Sequence, residues 1–328
     1  HVVLSLDGDV TATRLFTTPV EARPFILRKS RGLDPDNLKR LSAAIRTSGA
    51  KVLCTYNFGA LEAAVANLGS TRLPHIHQED GFGPDETPAR QKARRVWLRR
   101  FLLRGSTTVV PSETLRDVAR RVWGLPAARI RYIPNGIELA RFEASPRAPG
   151  RVVVGTVGAF RPEKNYARLL RAFAASGADA DLVFVGDGPE RESLVATAGA
   201  LLPEGRARFP GRTDAPETAY RGFDIFALSS DTEQMPLSLM EAMAAGLPAV
   251  ATDVGDVASM VSALNAPFIV KPSDEQGLAA SIATLARDAD LRRAVGAANR
   301  RRAEERFDLA AMTEAYRALY LNAALARR

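Results

Sequence analysis

Short β-rich runs alternate with helical patterns along the second half of the chain, and this alternation constrains the fold more than any other feature. It predicts an α/β protein, because right-handed βαβ units of this kind build a parallel, doubly wound sheet. The predicted strands are Arg151–Val157, Asp181–Val185, Asp224–Leu228, Ala249–Thr252 and Phe268–Val270, and the predicted helices are Ala167–Ala175, Glu190–Ala198 and Leu237–Ala245.

The first half alternates in the same way, though less clearly, with strand candidates at Val2–Leu6, Lys51–Tyr56, Leu73–His77, Thr107–Val110 and Ile130–Ile133. Ala144–Gly150 has the Pro, Gly and Ala content of a linker. We therefore expect two α/β domains, residues 1–148 and 149–305, with a ligand cleft between them. A helical pattern in residues 306–328 is expected to pack back toward the first domain. Because the numbering opens directly in a strand-like run, we expect an earlier strand and helix to precede it.

The composition is that of a soluble protein with ample core, at 46% hydrophobic and 25% charged residues in 328. The single cysteine, Cys54, excludes an internal disulfide and fits a reducing cytoplasm. No apolar run approaches the ~20 residues that span a bilayer, and no signal peptide is recognisable. We therefore expect a cytoplasmic protein.

The net charge of +8 comes from the first 148 residues, since the rest of the chain is close to neutral. The segment Arg90–Arg104 carries seven basic residues and no acidic one, with Trp97 and Phe101 interleaved. Such a segment is either an interfacial helix anchored in anionic lipid or a packed helix whose arginines extend to solvent. We favour contact with an anionic membrane surface, on the inner face of the cell membrane. No nucleic-acid-binding module or stacking pattern is visible, so no nucleic-acid partner is expected.

The segment from Ser229 to Gly246 carries the chemistry. Its polar residues follow the buried-strand run Asp224–Leu228 and therefore form the loop at the carboxyl end of that strand. Pro236 lies where a helix begins, and Gly246 lies where that helix ends. The helix N-terminus then points into the cleft with free N–H groups and a partial positive charge, an arrangement that binds phosphate.

Two carboxylates lie close to this helix start. Glu233 is in the loop before the helix, and Glu241 is about a turn and a half inside it. Two glutamates at this spacing are common by chance on a solvated helix. The compound pattern of strand, acidic loop, helix, glycine stop and the next strand at Leu247–Thr252 argues against chance here. Carboxylates so placed accept hydrogen bonds from hydroxyls on either side of a diphosphate, from a sugar at one end and a ribose at the other.

These motifs resemble the retaining glycosyltransferases of family 4, which have the GT-B fold of two facing Rossmann-like domains with the active cleft between them. The resemblance covers nearly the whole chain. It rests on Ile133–Ile137 as the turn that closes the first domain, Thr156–Asn165 as the phosphate loop, Phe184–Pro189 as the next strand end, and the paired Glu233 and Glu241. By this resemblance the first domain receives the acceptor and the second binds the nucleotide sugar.

The resemblance also implies roles for individual residues. Glu233 would contact the hydroxyls of the donor sugar, Glu241 the ribose, and Lys164 the leaving diphosphate. Ala159 occupies the position of the family's usual phosphate-loop arginine, and Arg161, two residues further on, is our candidate for its role. The other candidates for donor binding are Met235, Leu237, Ser238, Gly211 and Arg212, the last of these beside the base.

His77 ends a strand-like run, in a region where family members carry a histidine next to the transferring sugar. His75 lies on the same strand face, but His77 is nearer the strand end, so we assign the catalytic role to His77. A metal site and a buried structural histidine are the alternatives. Two histidines without a third, and four scattered Asp-x-Asp pairs, make a weak metal signal. We expect no metal, because the helix terminus, Lys164 and Arg161 supply its electrostatic role.

We therefore expect a hexosyltransferase that moves a sugar, with retention and without a cofactor, from a nucleotide-diphosphate sugar to a saccharide or polyprenyl-diphosphate-linked acceptor. A UDP-sugar is favoured over a GDP-sugar, and bacterial surface or exopolysaccharide synthesis is the expected setting. A nicotinamide dehydrogenase is disfavoured because Gly155–Gly158 and Gly186–Gly188 lack the third glycine of the dinucleotide fingerprint. A nucleotide-sugar epimerase of the same fold and a non-catalytic nucleotide-sugar-binding protein stay open.

Overall fold

The computed structural model describes residues 1–11, 20–28, 33–82, 86–87, 90–143 and 150–325. The chain divides into two compact units. Unit 1 comprises His1–Pro111, Leu115–Ile133 and Ala315–Arg328, and unit 2 comprises Ser112–Thr114 and Pro134–Glu314. The predicted linker, residues 144–150, lies outside the described residues except for Gly150.

Unit 1 contains two parallel sheets. In the smaller one, β1 (Val2–Ser5) pairs with β2 (Glu21–Pro24). The larger one has the order β3-β4-β5-β6, with strands Leu53–Tyr56, His75–Gln78, Thr107–Val110 and Ile130–Tyr132. The predicted strands of this half are confirmed to within two residues at each end. Sequence patterning misses β2, because Glu-Ala-Arg-Pro has neither β-branched residues nor a hydrophobic alternation.

The helices of unit 1 are α1 (Pro35–Thr47), α2 (Leu61–Leu68), α3 (Ala93–Leu102) and α4 (Glu113–Arg121). Helix α1 begins where the side chain of Asp34 accepts a hydrogen bond from Asn37 N, with Pro35 in its first turn. Its apolar stripe, which includes Leu41 and Ile45, packs against α2 and Leu73. A second core gathers Leu103, Val110, Leu115 and Trp123.

Unit 2 is built on one six-stranded parallel sheet of order β12-β11-β10-β7-β8-β9. Its strands are β7 (Val152–Val157), β8 (Ala180–Val185), β9 (Ala207–Gly211), β10 (Ile225–Leu228), β11 (Ala249–Thr252) and β12 (Ile269–Val270). The chain runs from β7 outward to β9 and then returns to β10, on the other side of β7. The strand order therefore reverses between β7 and β10, and open parallel sheets bind ligands at the carboxyl end of such a switch point.

Eight helices of unit 2 are described, the last of which continues into unit 1. They are α5 (Tyr166–Ser176), α6 (Arg191–Leu201), α7 (Pro216–Tyr220), α8 (Leu237–Ala244), α9 (Val257–Met260), α10 (Glu275–Arg287), α11 (Ala289–Arg306) and α12 (Leu309–Leu325). Both faces of the sheet are covered, since Val154 and Ile225 lie in one core and their neighbours Val153 and Phe226 in the other. Burial on both faces explains why these strands read as continuous apolar runs.

Helix α12 differs from the other long helices because none of its residues is buried. Within the part of the chain that the structure describes, no helix combines the length and apolarity needed to cross a membrane.

Candidate active site

Two predicted site residues, Lys164 and Glu233, lie in the loops that follow β7 and β10, and the fold brings them together. Lys164 Nζ lies 2.5 Å from Glu233 Oε1, and Ser230 Oγ donates to the same oxygen at 2.7 Å. The Lys164 side chain is 23% exposed and the Glu233 side chain 11%. Strand order explains the meeting, because β7 and β10 are hydrogen-bonded neighbours although 69 residues separate Lys164 from Glu233.

Further hydrogen bonds join the same two loops. Asn165 adopts a left-handed conformation, with φ of 44°, and its side chain accepts a hydrogen bond from Arg168 N at the start of α5. Its amide nitrogen also donates to Asp231 at 3.1 Å, and Arg168 forms an ion pair with Asp231 at 2.6 Å. Ser229 Oγ donates to the carbonyl of Lys164 at 2.9 Å. These contacts fix the backbone of both loops and therefore restrict the positions of Lys164 and Glu233.

A close backbone approach shapes the phosphate loop. Gly186, at the end of β8, has a φ of +149°, and a Cβ there would overlap the carbonyl oxygen of Gly158. The hydroxyl of Tyr166 lies over Gly158, where an added Cβ would come within 2.7 Å of it. Burial, followed by the charge of Glu233, raises the pKa of Tyr166 to about 12. Tyr166 thus lies beside the candidate site and is not among the residues that the sequence predicts.

Helix α8 begins at Leu237, four residues after Glu233. Pro236 is its N-cap residue, and the N–H groups of Leu239 and Met240 bond to the carbonyl of Pro236. The first N–H groups of a helix have no partner within the helix, so those of Leu237 and Ser238 are available to a ligand. The predicted phosphate-binding helix start therefore lies next to the Lys164–Glu233 pair.

Glu241 lies within α8 and is held by a residue that sequence reasoning misses. Tyr220 Oη donates to Glu241 Oε2 at 2.7 Å, and Tyr220 itself is buried at the end of α7. Burial raises the pKa of the Glu241 carboxyl above its ordinary value. The hydroxyl of Tyr220 thus orients a partly buried carboxylate, which suits an acceptor for ribose hydroxyls. A tyrosine that ends a five-residue helix has no signature in the sequence.

The other predicted site residues lie on several different elements. Arg161 is exposed, with its side chain 4.0 Å from Glu163. Met235 is buried, and its sulfur accepts a hydrogen bond from Asn135 N at 3.4 Å. Gly211 ends β9 with its carbonyl bonded to Gly186 N, and the exposed Arg212 follows it. Gly211 and Arg212 thus lie at the edge strand, two strands away from β7.

His77 lies on β4 of unit 1, and its ring is fully buried. Its Nδ1 is 2.8 Å from Thr55 Oγ1 and its Nε2 is 3.2 Å from Glu79 Oε2. His75 shares the same threonine, since its Nε2 is 2.8 Å from Thr55 Oγ1. The structure therefore joins the two histidines in one network, and the catalytic role of His77 stays a prediction.

Metal ligands do not gather around either histidine or elsewhere in the described ranges, where no group of three His, Cys, Asp or Glu side chains is placed to hold a metal ion. Positive groups at the switch point of unit 2 include Lys164, Arg161 and Arg168, together with the N-terminus of α8.

Solved structures share this architecture over nearly its whole length. HepE from Anabaena, in complex with UDP-glucose, superposes with a TM-score of 0.82 and 19% identity, over 98% of this chain and 91% of that one. Sucrose-phosphate synthase from Thermosynechococcus elongatus superposes with a TM-score of 0.76 and 19% identity, over 98% and 99%. At such identities the likeness shows the fold alone, and that fold is GT-B.

Relatives matched by sequence have a higher percentage identity to this chain than these solved structures do. The chain is 31% identical to the GDP-mannose-dependent alpha-mannosyltransferase of Mycobacterium tuberculosis over 263 residues, which is 76% of this chain and 64% of that protein. The corresponding enzyme of Mycolicibacterium smegmatis is 32% identical over 73% of this chain and 62% of its own. The chain thus spans less than two thirds of the length of these relatives.

Two family models divide the chain between them. The model described as Glycosyltransferase Family 4 matches residues 1–141, and the model described as Glycosyl transferases group 1 matches residues 140–302. The second match contains the Lys164–Glu233 pair and helix α8. The chain therefore belongs to the family 4 glycosyltransferases.

Proposed function

We propose that the chain is a retaining hexosyltransferase that moves a sugar from a nucleotide-diphosphate sugar to a saccharide or polyprenyl-diphosphate-linked acceptor. The observation that carries this proposal is the Lys164–Glu233 pair, placed at the strand switch point beside the N-terminus of α8. A cation and free helix N–H groups suit a diphosphate, and a carboxylate beside them suits sugar hydroxyls.

In the proposed reaction, an entering diphosphate takes the place of Glu233 as the partner of the Lys164 ammonium. Glu233 is then released to accept hydrogen bonds from the donor sugar. The bond between the anomeric carbon and the phosphate oxygen breaks, and the leaving charge is stabilised by Lys164, Arg161 and the start of α8. A phosphate oxygen takes the proton of the acceptor hydroxyl as that hydroxyl bonds to the same sugar face. Retention then needs no protein nucleophile, and the chain's own positive groups perform the electrostatic role of a metal.

We propose a UDP-sugar as the donor, with a GDP-sugar as the alternative. HepE was solved in complex with UDP-glucose, whereas the two mannosyltransferase relatives are named for GDP-mannose. Bacterial glycan synthesis is the proposed setting, since the relatives include a putative teichuronic acid biosynthesis glycosyltransferase of Bacillus subtilis. Tyr220 and Glu241 serve the ribose in either case and do not distinguish the bases.

We further propose that α3 brings unit 1 to an anionic membrane on the cytoplasmic side. The rings of Trp97 and Phe101 are stacked 5.5 Å apart with parallel planes, and these residues are 61% and 68% exposed. Arg94 and Arg104 are exposed on the same segment. On the opposite face, Arg99 is buried and paired with Glu79. One face of α3 therefore packs within unit 1, as the packed-helix interpretation of the sequence predicts. The other face exposes two aromatic side chains with basic neighbours.

The test of the transferase proposal is to incubate the whole chain with UDP-glucose, UDP-galactose and GDP-mannose and to follow the products by NMR. Release of nucleotide diphosphate, with the sugar transferred or hydrolysed in the donor's anomeric configuration, is expected for one donor. An epimerised nucleotide sugar identifies the epimerase instead. Binding without any turnover, even with added lipid-linked saccharide acceptors, identifies a non-catalytic binding protein.

A further inference from the structure

A series of hydrogen-bonded side chains, buried except for the half-buried His75, runs along one face of β4 in unit 1. Ser106 Oγ lies 2.7 Å from His75 Nδ1, and His75 Nε2 lies 2.8 Å from Thr55 Oγ1. The same Thr55 oxygen is 2.8 Å from His77 Nδ1, and His77 Nε2 is 3.2 Å from Glu79 Oε2. Strand register explains the order, because Thr55 on β3 is the direct neighbour of His77 and Leu53 that of His75. This series of hydrogen bonds therefore extends from the amino end of β4 to the residue just after its carboxyl end.

Glu79 determines which way the hydrogen bonds point. Both of its oxygens accept from Arg99, at 3.1 Å each, in a bidentate pair. Although burial opposes it, the hydrogen bonds from His77 and Arg99 hold the pKa of Glu79 below its ordinary value. Glu79 is thus an ionised acceptor, and His77 Nε2 must carry the proton that lies between them.

Two ion pairs in this part of unit 1 involve Arg95 and Arg99. Arg99 pairs with Glu79, and Arg95 pairs with Glu86 at 3.0 Å, so the two cations balance the two carboxylates. With Nε2 protonated and the ring neutral, Nδ1 is a bare acceptor. Thr55 then donates to His77 Nδ1, His75 Nε2–H donates to Thr55, and Ser106 donates to His75 Nδ1, so each of the four ring nitrogens has one partner.

We propose that Thr55 and His75 are positioning residues that hold His77 in the tautomer with its proton on Nε2, directed at Glu79. Burial lowers the pKa of His75 to about 3, so His75 stays neutral and its bond to Thr55 keeps the same character across the physiological pH range. Glu79 directly precedes Asp80, whose N–H donates to Asn57 Oδ1 at 2.9 Å. These hydrogen bonds thus hold Glu79 and Asp80 in place at the carboxyl end of β4. Its effect on sugar transfer rests on the proposed function, but the tautomer does not.

The tautomer is read by ¹⁵N NMR of the histidine-labelled whole chain. The sequence has three histidines, so His75→Gln assigns the two buried rings against His1. A protonated ring nitrogen and a bare one differ widely in ¹⁵N chemical shift. We expect His77 with Nε2 protonated and Nδ1 bare, and this pattern should persist in Thr55→Ser. A protonated Nδ1 on His77 in the wild type overturns the proposal.

Removing the shared hydroxyl tests the coupling. Thr55→Val keeps the side-chain shape, and we expect the ¹⁵N signals of both buried rings to move. Ser106→Ala is a gentler change at the far end of the chain of bonds, and it should still shift the signals of His77. Ring signals unchanged in both variants, with urea unfolding showing both folded, overturn the coupling.

Steady-state kinetics test whether the positioning of His77 affects sugar transfer. Thr55→Val should lower kcat about tenfold while the donor KM stays within about twofold, and Thr55→Ser should restore kcat. A fall in kcat that Thr55→Ser does not restore overturns the positioning role. If the wild type turns over no donor, the proposed function fails, whereas the NMR result still decides the tautomer.

Discussion

Lys164 Nζ lies 2.5 Å from Glu233 Oε1, and this single contact joins the two loops that meet where the strand order of unit 2 reverses. In the proposed reaction, each member of this ion pair binds a separate part of the donor. The Lys164 ammonium would bind the diphosphate, and the Glu233 carboxylate would bind the sugar hydroxyls. Each member is therefore expected to give its own signature when it is replaced.

Replacing Glu233 should damage catalysis rather than folding. Glu233→Ala removes the acceptor for the sugar hydroxyls, so we expect kcat/KM to fall at least about 100-fold with little change in thermal stability. Glu204→Ala, which removes an exposed carboxylate just before β9, is the matched control and should keep near wild-type activity. Near wild-type turnover in Glu233→Ala contradicts the site assignment.

Glu241 should reveal itself in the pH dependence of stability. Burial raises the pKa of its carboxyl above the ordinary value. A carboxyl whose pKa is raised on folding contributes stability below its unfolded pKa, and this stability is lost as the pH rises through the folded pKa. Glu241→Gln removes the titration while keeping an oxygen for Tyr220. The free energy of unfolding of this variant, relative to wild type, should therefore increase as the pH rises from about 4, close to the ordinary pKa of a glutamate.

Urea unfolding of both proteins at several pH values measures this difference. A difference that stays constant with pH contradicts the raised pKa. The same variant should bind nucleotide diphosphate more weakly, because a neutral amide is a poorer acceptor for ribose hydroxyls than a carboxylate.

Gly186 should be intolerant of any side chain. Its φ of +149° and its approach to the carbonyl of Gly158 leave no space for a Cβ, so Gly186→Ala is expected to destabilise the chain by roughly 3 kcal/mol or more. Gly199 lies in α6 with no atom close to an added Cβ, and Gly199→Ala should stabilise by about 0.5–1 kcal/mol. Chemical denaturation compares the two. Equal and small effects refute the close approach of β8 to the phosphate loop.

Membrane contact through α3 should depend on its two exposed rings. We expect the wild type to sediment with vesicles that contain phosphatidylglycerol and to be released as salt rises. The double variant Trp97→Ser/Phe101→Ser should lose at least about tenfold in affinity. Ile26→Ser, which replaces another exposed apolar residue of unit 1, is the control. Wild-type protein that stays in solution with anionic vesicles, or an equal loss in the control, contradicts the assignment of α3.

Sequence patterning succeeds where a functional residue follows a strand closely. Lys164 and Glu233 lie in loops directly after β7 and β10, and parallel strands bring such loops to one edge, so their meeting is predictable. Tyr220 and Tyr166 escape prediction because their partners, Glu241 and Gly158, lie on other elements. No spacing rule links them.

The histidine network shows the same limit. Alternation along β4 places His75 and His77 on one face, as the sequence predicts. Thr55 belongs to the neighbouring strand, however, and only the register of β3 against β4 brings its hydroxyl between the two rings. Register between parallel strands depends on packing against the covering helices and is not readable from either strand alone.

The central claim is that the β7–β10 switch point of unit 2 binds the diphosphate of a nucleotide sugar, and the most direct test is the affinity for UDP and GDP. Calorimetric titrations of the wild type, Lys164→Ala and the exposed control Lys51→Ala supply it. We predict that one nucleotide binds the wild type, that Lys164→Ala weakens this binding at least about tenfold, and that Lys51→Ala leaves it unchanged. Equal affinity in the wild type and Lys164→Ala, or no binding of either nucleotide to the wild type, would contradict the claim.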